Sequence, residues 1–204
     1  IPNGVDTTIF CPSYSKVYNE KRRPNKPRVI FVGNMEYLPN REAVEMIALH
    51  LAPKVRKDIG EVEFLMVGRA PLDLCECYSP YLNFSGSVDD VAKFLVDSDV
   101  AIAPLFHGSG TRLKVLEYFS CCLPVVSTTI GVEGLEVKNG VNVLVEDDME
   151  EFASKIVELL SNKKLSGKLG RAARELVTSK YDWRAVGKRL ENVYGAMFAT
   201  VPEK

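Results

Sequence analysis

The sequence predicts an α/β fold in which a parallel sheet is covered by helices on both faces, and three observations carry that reading. Short apolar runs stop at glycine or proline: Val29-Ile30-Phe31-Val32 before Gly33, Glu63–Val67 before Gly68, and Val100–Ala103 before Pro104. Between these runs lie segments whose apolar residues recur at helical spacing. The connections are short. Strands that are apolar throughout are buried on both faces, and strands that alternate with helices pair in parallel.

Each element follows in order. Residues 1–27 hold Pro2, Gly4, Pro12, Pro24 and Pro27, which predicts an irregular lead-in with Lys21-Arg22-Arg23 in a solvated loop. After the first strand, Ala43, Val44, Ile47, Ala48 and Leu51 mark a helix over Asn40–Val55, with Pro39 or Asn40 at its start. Leu82–Gly86 reads as a weaker third strand and Val91–Val96 as a short helix. Leu113–Phe119 is helical, and Pro124–Ser127 and Val143–Val145 are strands. Helices follow near Glu150–Leu160, near Leu165–Thr178 and after Asp182, a natural N-cap. Gly167 and Gly170 weaken the middle one, each by about 1 kcal/mol against alanine. The expected organisation is a lead-in over 1–27, a sheet domain over 28–180 and a C-terminal helical segment over 181–204.

Composition narrows the function. Among 204 residues, 26 Lys and Arg face 27 Asp and Glu, for a net charge of −1. That balance creates no global field for nucleic acid or an anionic membrane, so an anion site must be local. No apolar run approaches the ~20 residues of a membrane span, and no secretory signal is present. The five cysteines, Cys11, Cys75, Cys77, Cys121 and Cys122, have neither disulfide-scaffold nor zinc spacing. They read as ordinary thiols in a reducing, cytoplasmic setting, with no metal and no cofactor expected. Because the first residue is Ile1, the chain is expected to be processed or to start within a longer protein.

In parallel α/β sheets ligands sit beyond the carboxyl ends of the strands. The candidate loops are Gly33–Asn40, Gly68–Leu72, Gly86–Asp89, Pro104–Arg112 and Thr128–Leu135. The most informative runs from Pro104 through His107, Gly108, Ser109, Gly110, Thr111, Arg112, Leu113 and Lys114 to Glu117. Gly108 and Gly110 allow positive φ or a close ligand. Amides of the first helical turn, near Thr111 to Leu113, predict an anion site. Arg112 and Lys114 add charge beside it, and Glu117 could accept hydrogen bonds from a pair of sugar hydroxyls. The competing reading is an ordinary capped helix with Arg112 and Lys114 solvated and Glu117 paired to one of them. The phosphate loop G-x-x-x-x-G-K-[ST] and the G-x-G-x-x-G fingerprint are both absent.

An ordered set of motifs spanning residues 1–198 resembles family 4 glycosyltransferases. It comprises Ile1-Pro-Asn-Gly-Val-Asp6 with Phe10, Phe31-Val-Gly33, Leu65-Met-Val-Gly68, Phe84-Ser-Gly86, Asp99–Pro104, Gly110–Glu117, Pro124–Thr128 and Tyr181-Asp-Trp183. The resemblance implies the C-terminal half of a GT-B fold, Rossmann-like, which holds a nucleotide-diphospho-sugar and transfers the sugar with retention. By position, Glu117 matches the second Glu of the family's E-x7-E motif, which binds ribose. Ser109 stands where the first Glu would contact the transferred sugar. Asn34 and Pro39 stand where the family often has an Arg and a Lys on the diphosphate. Arg112 and Lys114 are expected to take over, with Arg41 a weaker substitute. Ser87 and Val88 match the nucleobase cradle, Gly33 and Asn34 border the donor, and Arg69 and His107 lie within reach of it.

The resemblance also implies an N-terminal acceptor domain outside this chain, against which the last helix would pack. Through that half the enzyme could meet a membrane. The chain alone should bind donor without divalent metal and transfer little. Glu133 and Glu136 either approach the donor sugar or lie in a solvated loop. Two other classes stay open: half of a nucleotide-sugar epimerase, and a non-catalytic Rossmann-like interaction module. A phosphoacceptor receiver domain is disfavoured, since no acidic pair follows the first strand.

Overall fold

The computed structural model describes residues 2–12, 26–108 and 110–199, so Lys21-Arg22-Arg23 and Ser109 lie outside the described residues. Six strands, β1 (Arg28–Val32), β2 (Glu63–Val67), β3 (Asn83–Phe84), β4 (Val100–Ala103), β5 (Val125–Ser127) and β6 (Leu144–Val145), form one sheet in the order β3-β2-β1-β4-β5-β6. Every pairing is parallel, with Arg28 opposite Glu63 and Val32 opposite Val67 at the two ends of β1. The order reverses between β1 and β4, and at such a switch point the loops diverge to leave a crevice.

Alternation along the strands divides the core. Val29, Phe31, Phe64, Met66 and Ile102 face one layer, where they meet helix α1 (Leu38–Met46), its continuation α2 (Ala52–Ile59) and the later α6 (Met149–Ser161). Ile30, Val32, Leu65, Val67 and Ala101 face the other layer. That layer contains α4 (Val91–Val96), α5 (Leu113–Ser120) and α7 (Lys163–Lys180). Burying each of the largest of these side chains stabilises by roughly 1.5–3 kcal/mol. The fold is therefore a Rossmann-like α/β sheet with helices on both faces, as the sequence predicts.

Several boundaries differ from expectation. The first helix starts at Leu38, with Pro39 in its first turn, and passes through a π-helical turn at Ile47–Leu51 before α2. A short helix, α3 (Leu72–Tyr78), was not expected; only Leu74 on it is buried, so it has no apolar periodicity to announce it. The predicted strands over Leu82–Gly86 and Val143–Val145 shorten to two residues each. Helix α7 is continuous despite its glycines. A Cβ on Gly170 would lie 2.0 Å from the Cys122 carbonyl, so the glycine that weakens the helix lets it cross the end of α5.

The two long helices that follow the sheet start at side-chain caps. Asp148 accepts from the Glu150 and Glu151 amides to start α6, and Asn162 accepts from Leu165 to start α7. Asp182 accepts from the Arg184 amide at 2.9 Å ahead of α8 (Trp183–Ala199). The described part of the lead-in is docked. The Val5 amide donates to the Tyr181 carbonyl at 2.8 Å, and Ser120 Oγ donates to the Phe10 carbonyl at 2.6 Å. At the amino ends of the strands, buried Arg28 pairs with Glu63 at 2.9 Å and with Asp97 at 2.6 Å. No helix among the described residues is long and apolar enough to cross a membrane.

Candidate functional site

The loops at the carboxyl edge are zipped together by their own backbones. The Gly33 amide donates to the Val67 carbonyl at 2.9 Å and the Met35 amide to the Arg69 carbonyl at 2.8 Å. Gly68, at φ +125°, packs so closely that a Cβ there would stand 2.1 Å from the Gly33 carbonyl oxygen. Its amide reaches on to the Gly86 carbonyl at 3.1 Å. On the other side Ser127 Oγ donates to the Ala103 carbonyl at 3.2 Å, and Thr128 Oγ1 donates to that of Leu105. A rigid floor results, with the start of α5 at its centre.

At that start Gly108 and Gly110 have φ of +105° and +92°, which only glycine adopts without strain. The amides are not all as expected. Leu113 donates its N–H to the Thr111 carbonyl at 2.9 Å, closing a tight turn, so Leu113 offers no amide to a ligand; its side chain is exposed. The Thr111 and Lys114 amides have no partner among the described residues and remain available.

Arg112 is buried, and its guanidinium acts as a clamp. Nε donates to the Ile130 carbonyl at 2.9 Å, Nη2 donates to that of Gly108 at 3.0 Å, and Glu133 lies 3.5 Å from Nη2. Its charge thus sits at the helix start while these donors tie the two flanking loops together.

Lys114 turns beneath the Gly33 loop. Its Nζ lies 4.1 Å from the centre of the Phe31 ring and donates to Asn40 Oδ1 at 2.7 Å. Asn40 Nδ2 in turn donates to the Asn34 carbonyl at 2.8 Å. Burial, and Arg112 nearby, push the Lys114 ammonium down to about 7. Glu117, one turn further along, is half-buried, and its carboxylate makes no hydrogen bond or ion pair among the described residues. Burial raises its pKa above the usual carboxylate range, with Lys114 opposing the rise. The competing expectation that Glu117 would pair with Arg112 or Lys114 is therefore not met.

The remaining expected residues divide by position. Gly33 touches the Lys114–Asn40 pair, a Cβ there lying 2.8 Å from Asn40 Nδ2 and 3.0 Å from Lys114 Nζ. Asn34 is exposed, with Oδ1 accepting from the Glu36 amide at 3.1 Å. Exposed Arg69 pairs with Glu36 at 3.1 Å, and Arg41 is drawn away to Asp73. His107 and Ser87 are exposed, whereas Val88 packs partly into the core. Glu136 pairs with Lys180, leaving only Glu133 of that loop's two acids near the site. A cleft of about 330 Å³ opens between Gly110, Thr111, Glu133, Gly134 and Tyr181. Another, of about 260 Å³, lies at the opposite end of the sheet beside Asp99 and Lys163 and holds none of the expected residues. No three His, Cys, Asp or Glu among the described residues stand together as a metal site.

Sequence reasoning missed Asn40, Phe31 and Tyr118 as parts of this site. Tyr118, fully buried on α5, accepts the Val32 amide through its hydroxyl at 2.8 Å and so fixes the helix to the end of β1. The sequence shows Asn40 as a helix start closing a candidate loop and Phe31 as a strand residue opening a family motif, and neither reading carries a contact with Lys114. Tyrosine in an otherwise apolar helical stripe is a usable signal for Tyr118, since a buried hydroxyl needs a partner.

The parallel sheet of this order, with a glycine-bounded, cation-flanked helix start at its switch point, defines a Rossmann-like α/β domain of the kind that forms the C-terminal half of GT-B folds. The family model of the glycosyl transferases group 1 matches residues 26–162, and the chain belongs to that family. The sulfoquinovosyl transferase SQD2 of Arabidopsis thaliana is 30% identical over 93% of this chain and 38% of its own length. Sucrose-phosphate synthase of Thermosynechococcus elongatus superposes with a TM-score of 0.75 at 22% identity, over 98% of this chain and 53% of that one. HepE of Anabaena, solved with UDP, superposes with a TM-score of 0.76 at 15% identity, over 95% and 56%. The chain thus spans between about two fifths and a little over half of these proteins.

Proposed function

We propose that this chain is the donor-binding half of a retaining glycosyltransferase that takes a sugar from a nucleotide-diphospho-sugar. The observation that carries the reading is the α5 arrangement: free amides at Thr111 and Lys114, the charges of Arg112 and Lys114, and an unpaired, half-buried Glu117 one turn on. The first two suit a diphosphate and the third suits a vicinal diol, which needs acceptors. Breaking the sugar–phosphate bond leaves new negative charge on the nucleoside diphosphate. Oriented amides and cations would stabilise that charge as it develops, which removes the need for a divalent metal in this reading. That HepE was solved with UDP is consistent with such a ligand. The acceptor and its domain lie outside this chain, so the isolated chain binds donor and transfers little or nothing. Cysteines at no disulfide-scaffold spacing suit a cytoplasmic setting in this reading.

Calorimetric titration with UDP and with GDP tests the proposal, using Glu117→Ala and Arg112→Ala as controls and melting temperature as a check on folding. Saturable binding of one nucleotide, weakened tenfold or more by Glu117→Ala, is expected. Binding left unchanged by Glu117→Ala would refute the role of this carboxylate, and absence of binding at millimolar concentration would refute the donor reading for this chain.

A further inference from the structure

The cleft of about 330 Å³ beside the start of α5 is lined by Gly110 and Thr111, by Glu133 and its neighbours in the loop after β5, by Tyr181 and by the lead-in. Its volume stands at the small end of the ~300–1,000 Å³ of small-molecule sites, and suits one sugar ring rather than a whole nucleotide sugar. The Tyr181 hydroxyl is engaged, accepting the Glu136 amide at 2.9 Å. Among the lining residues only Glu133 is charged, so a single carboxylate and no cation faces whatever enters.

That carboxylate rises from a pinned backbone. The Glu133 amide donates to the Ile130 carbonyl at 3.2 Å, and the same carbonyl accepts Arg112 Nε at 2.9 Å. The Gly131 amide donates to Thr128 Oγ1 at 3.0 Å, and a Cβ on Gly131 would lie 2.4 Å from the Ala103 carbonyl oxygen. Thr129 donates through its amide and its hydroxyl to the two Asp147 oxygens, both at 2.7 Å. The Glu133 side chain itself is 60% exposed. Arg112 Nη2 lies 3.5 Å from it, longer than a charge-assisted hydrogen bond of about 2.7–2.9 Å. Arg112 therefore steadies the carboxylate by charge without occupying its acceptor sites. Such a group offers about four, and no hydrogen bond among the described residues uses them.

We propose that Glu133 selects the sugar of the donor: it accepts hydrogen bonds from the hydroxyls of a neutral hexose and rejects sugars that carry an acid group. This rests on the donor-site reading above. With the diphosphate at the Thr111 amide and the Arg112 charge, the sugar bonded to its outer phosphate reaches the adjoining cleft. A hydroxyl-rich ring brings the donors that the carboxylate lacks within the protein. A carboxylated or sulfonated ring brings a like charge into a cleft that no cation lines. Selection of this kind combines an attractive element for one ligand class with a repulsive one against the other.

The test is calorimetry of the whole chain with UDP-glucose against UDP-glucuronate and with GDP-mannose against GDP-mannuronate, melting temperature serving as a check on folding. The members of each pair differ only in the acid group, so either nucleobase gives a readout. The parent should favour the neutral sugar by ~10-fold or more. Glu133→Gln, which keeps the shape and removes the charge, should bind the acidic sugar better than the parent does. Glu133→Ala should bind the neutral sugar ~10-fold more weakly, while UDP or GDP, which lack the sugar, bind it as well as they bind the parent. Loss of affinity for every ligand alike, the bare nucleotide included, would overturn the inference by showing that Glu133 serves only to hold Arg112. A gain for every ligand alike would overturn it too, leaving only repulsion of the diphosphate. So would a parent that binds both members of a pair equally, or a preference that survives both substitutions. Failure of the parent to bind any of these nucleotides would instead remove the donor-site reading itself, and the inference with it.

Discussion

Removing one oxygen from the core, through Tyr118→Phe, tests how α5 is fixed to the sheet. The Tyr118 hydroxyl accepts the Val32 amide at 2.8 Å, and Tyr118 is fully buried. The geometry explains why that amide needs a side chain. Gly33 directs its N–H toward β2, so the N–H of Val32 points toward β4, whose pairing with β1 covers Val29 and Ile30. Tyr118 takes the place of the missing ladder partner. Phenylalanine keeps the ring and its packing but leaves a buried donor unsatisfied, which costs about 1–3 kcal/mol. For a chain of this size each kcal/mol corresponds to a fall in Tm of roughly 2–4 °C. Urea denaturation should show a lower midpoint with an unchanged slope, since the surface exposed on unfolding is the same. Burial raises the Tyr118 pKa, so its contribution is fully present below the unfolded value of ~10 and is lost as pH rises further. The gap between parent and variant should accordingly narrow above pH ~10. An unchanged midpoint at neutral pH would refute the reasoning by showing that the Val32 amide is satisfied without the hydroxyl.

Two further substitutions probe the site's frame and its carboxylate. Gly68→Ala places a Cβ 2.1 Å from the Gly33 carbonyl at a φ of +125°, so the β1 and β2 loops must separate; a loss of about 2–4 kcal/mol in thermal or chemical denaturation is expected, and wild-type stability would contradict the close approach. Glu117→Gln should weaken nucleotide binding while leaving the fold as stable or more so at pH 7. Because burial raises the Glu117 pKa, the parent is relatively best below ~4 and loses ground as pH rises, so the variant's advantage should appear only above that range. A less stable variant at pH 7 would show that the carboxylate has a stabilising partner.

Much of this architecture was legible before any coordinates. Val29–Val32, Glu63–Val67 and Val100–Ala103 are apolar at every or nearly every position, and only a strand covered on both faces tolerates that. The glycines that end these runs located the loops, and Gly108 and Gly110 marked a turn needing positive φ ahead of α5. The residue types of the site, two cations and a carboxylate on one helix start, were legible for the same reason: short-range spacing on a helix fixes which side chains share a region. Helix α3 was not legible, because it buries only Leu74 and local propensity without periodicity is a weak signal.

What tertiary structure alone decided is how those charges are used. Arg112 lies 18 residues from Ile130, and Lys114 lies 74 from Asn40, so neither pairing has any local trace in the chain. The same holds for Gly170 against Cys122 and for Gly68 against Gly33, where the glycine answers to a backbone brought near by the sheet. Periodicity records which face of an element is buried, and that is a property of neighbouring residues. Whether a buried cation meets a carbonyl, an amide or nothing depends on which loops the parallel register brings to the same edge, and only the folded chain determines that.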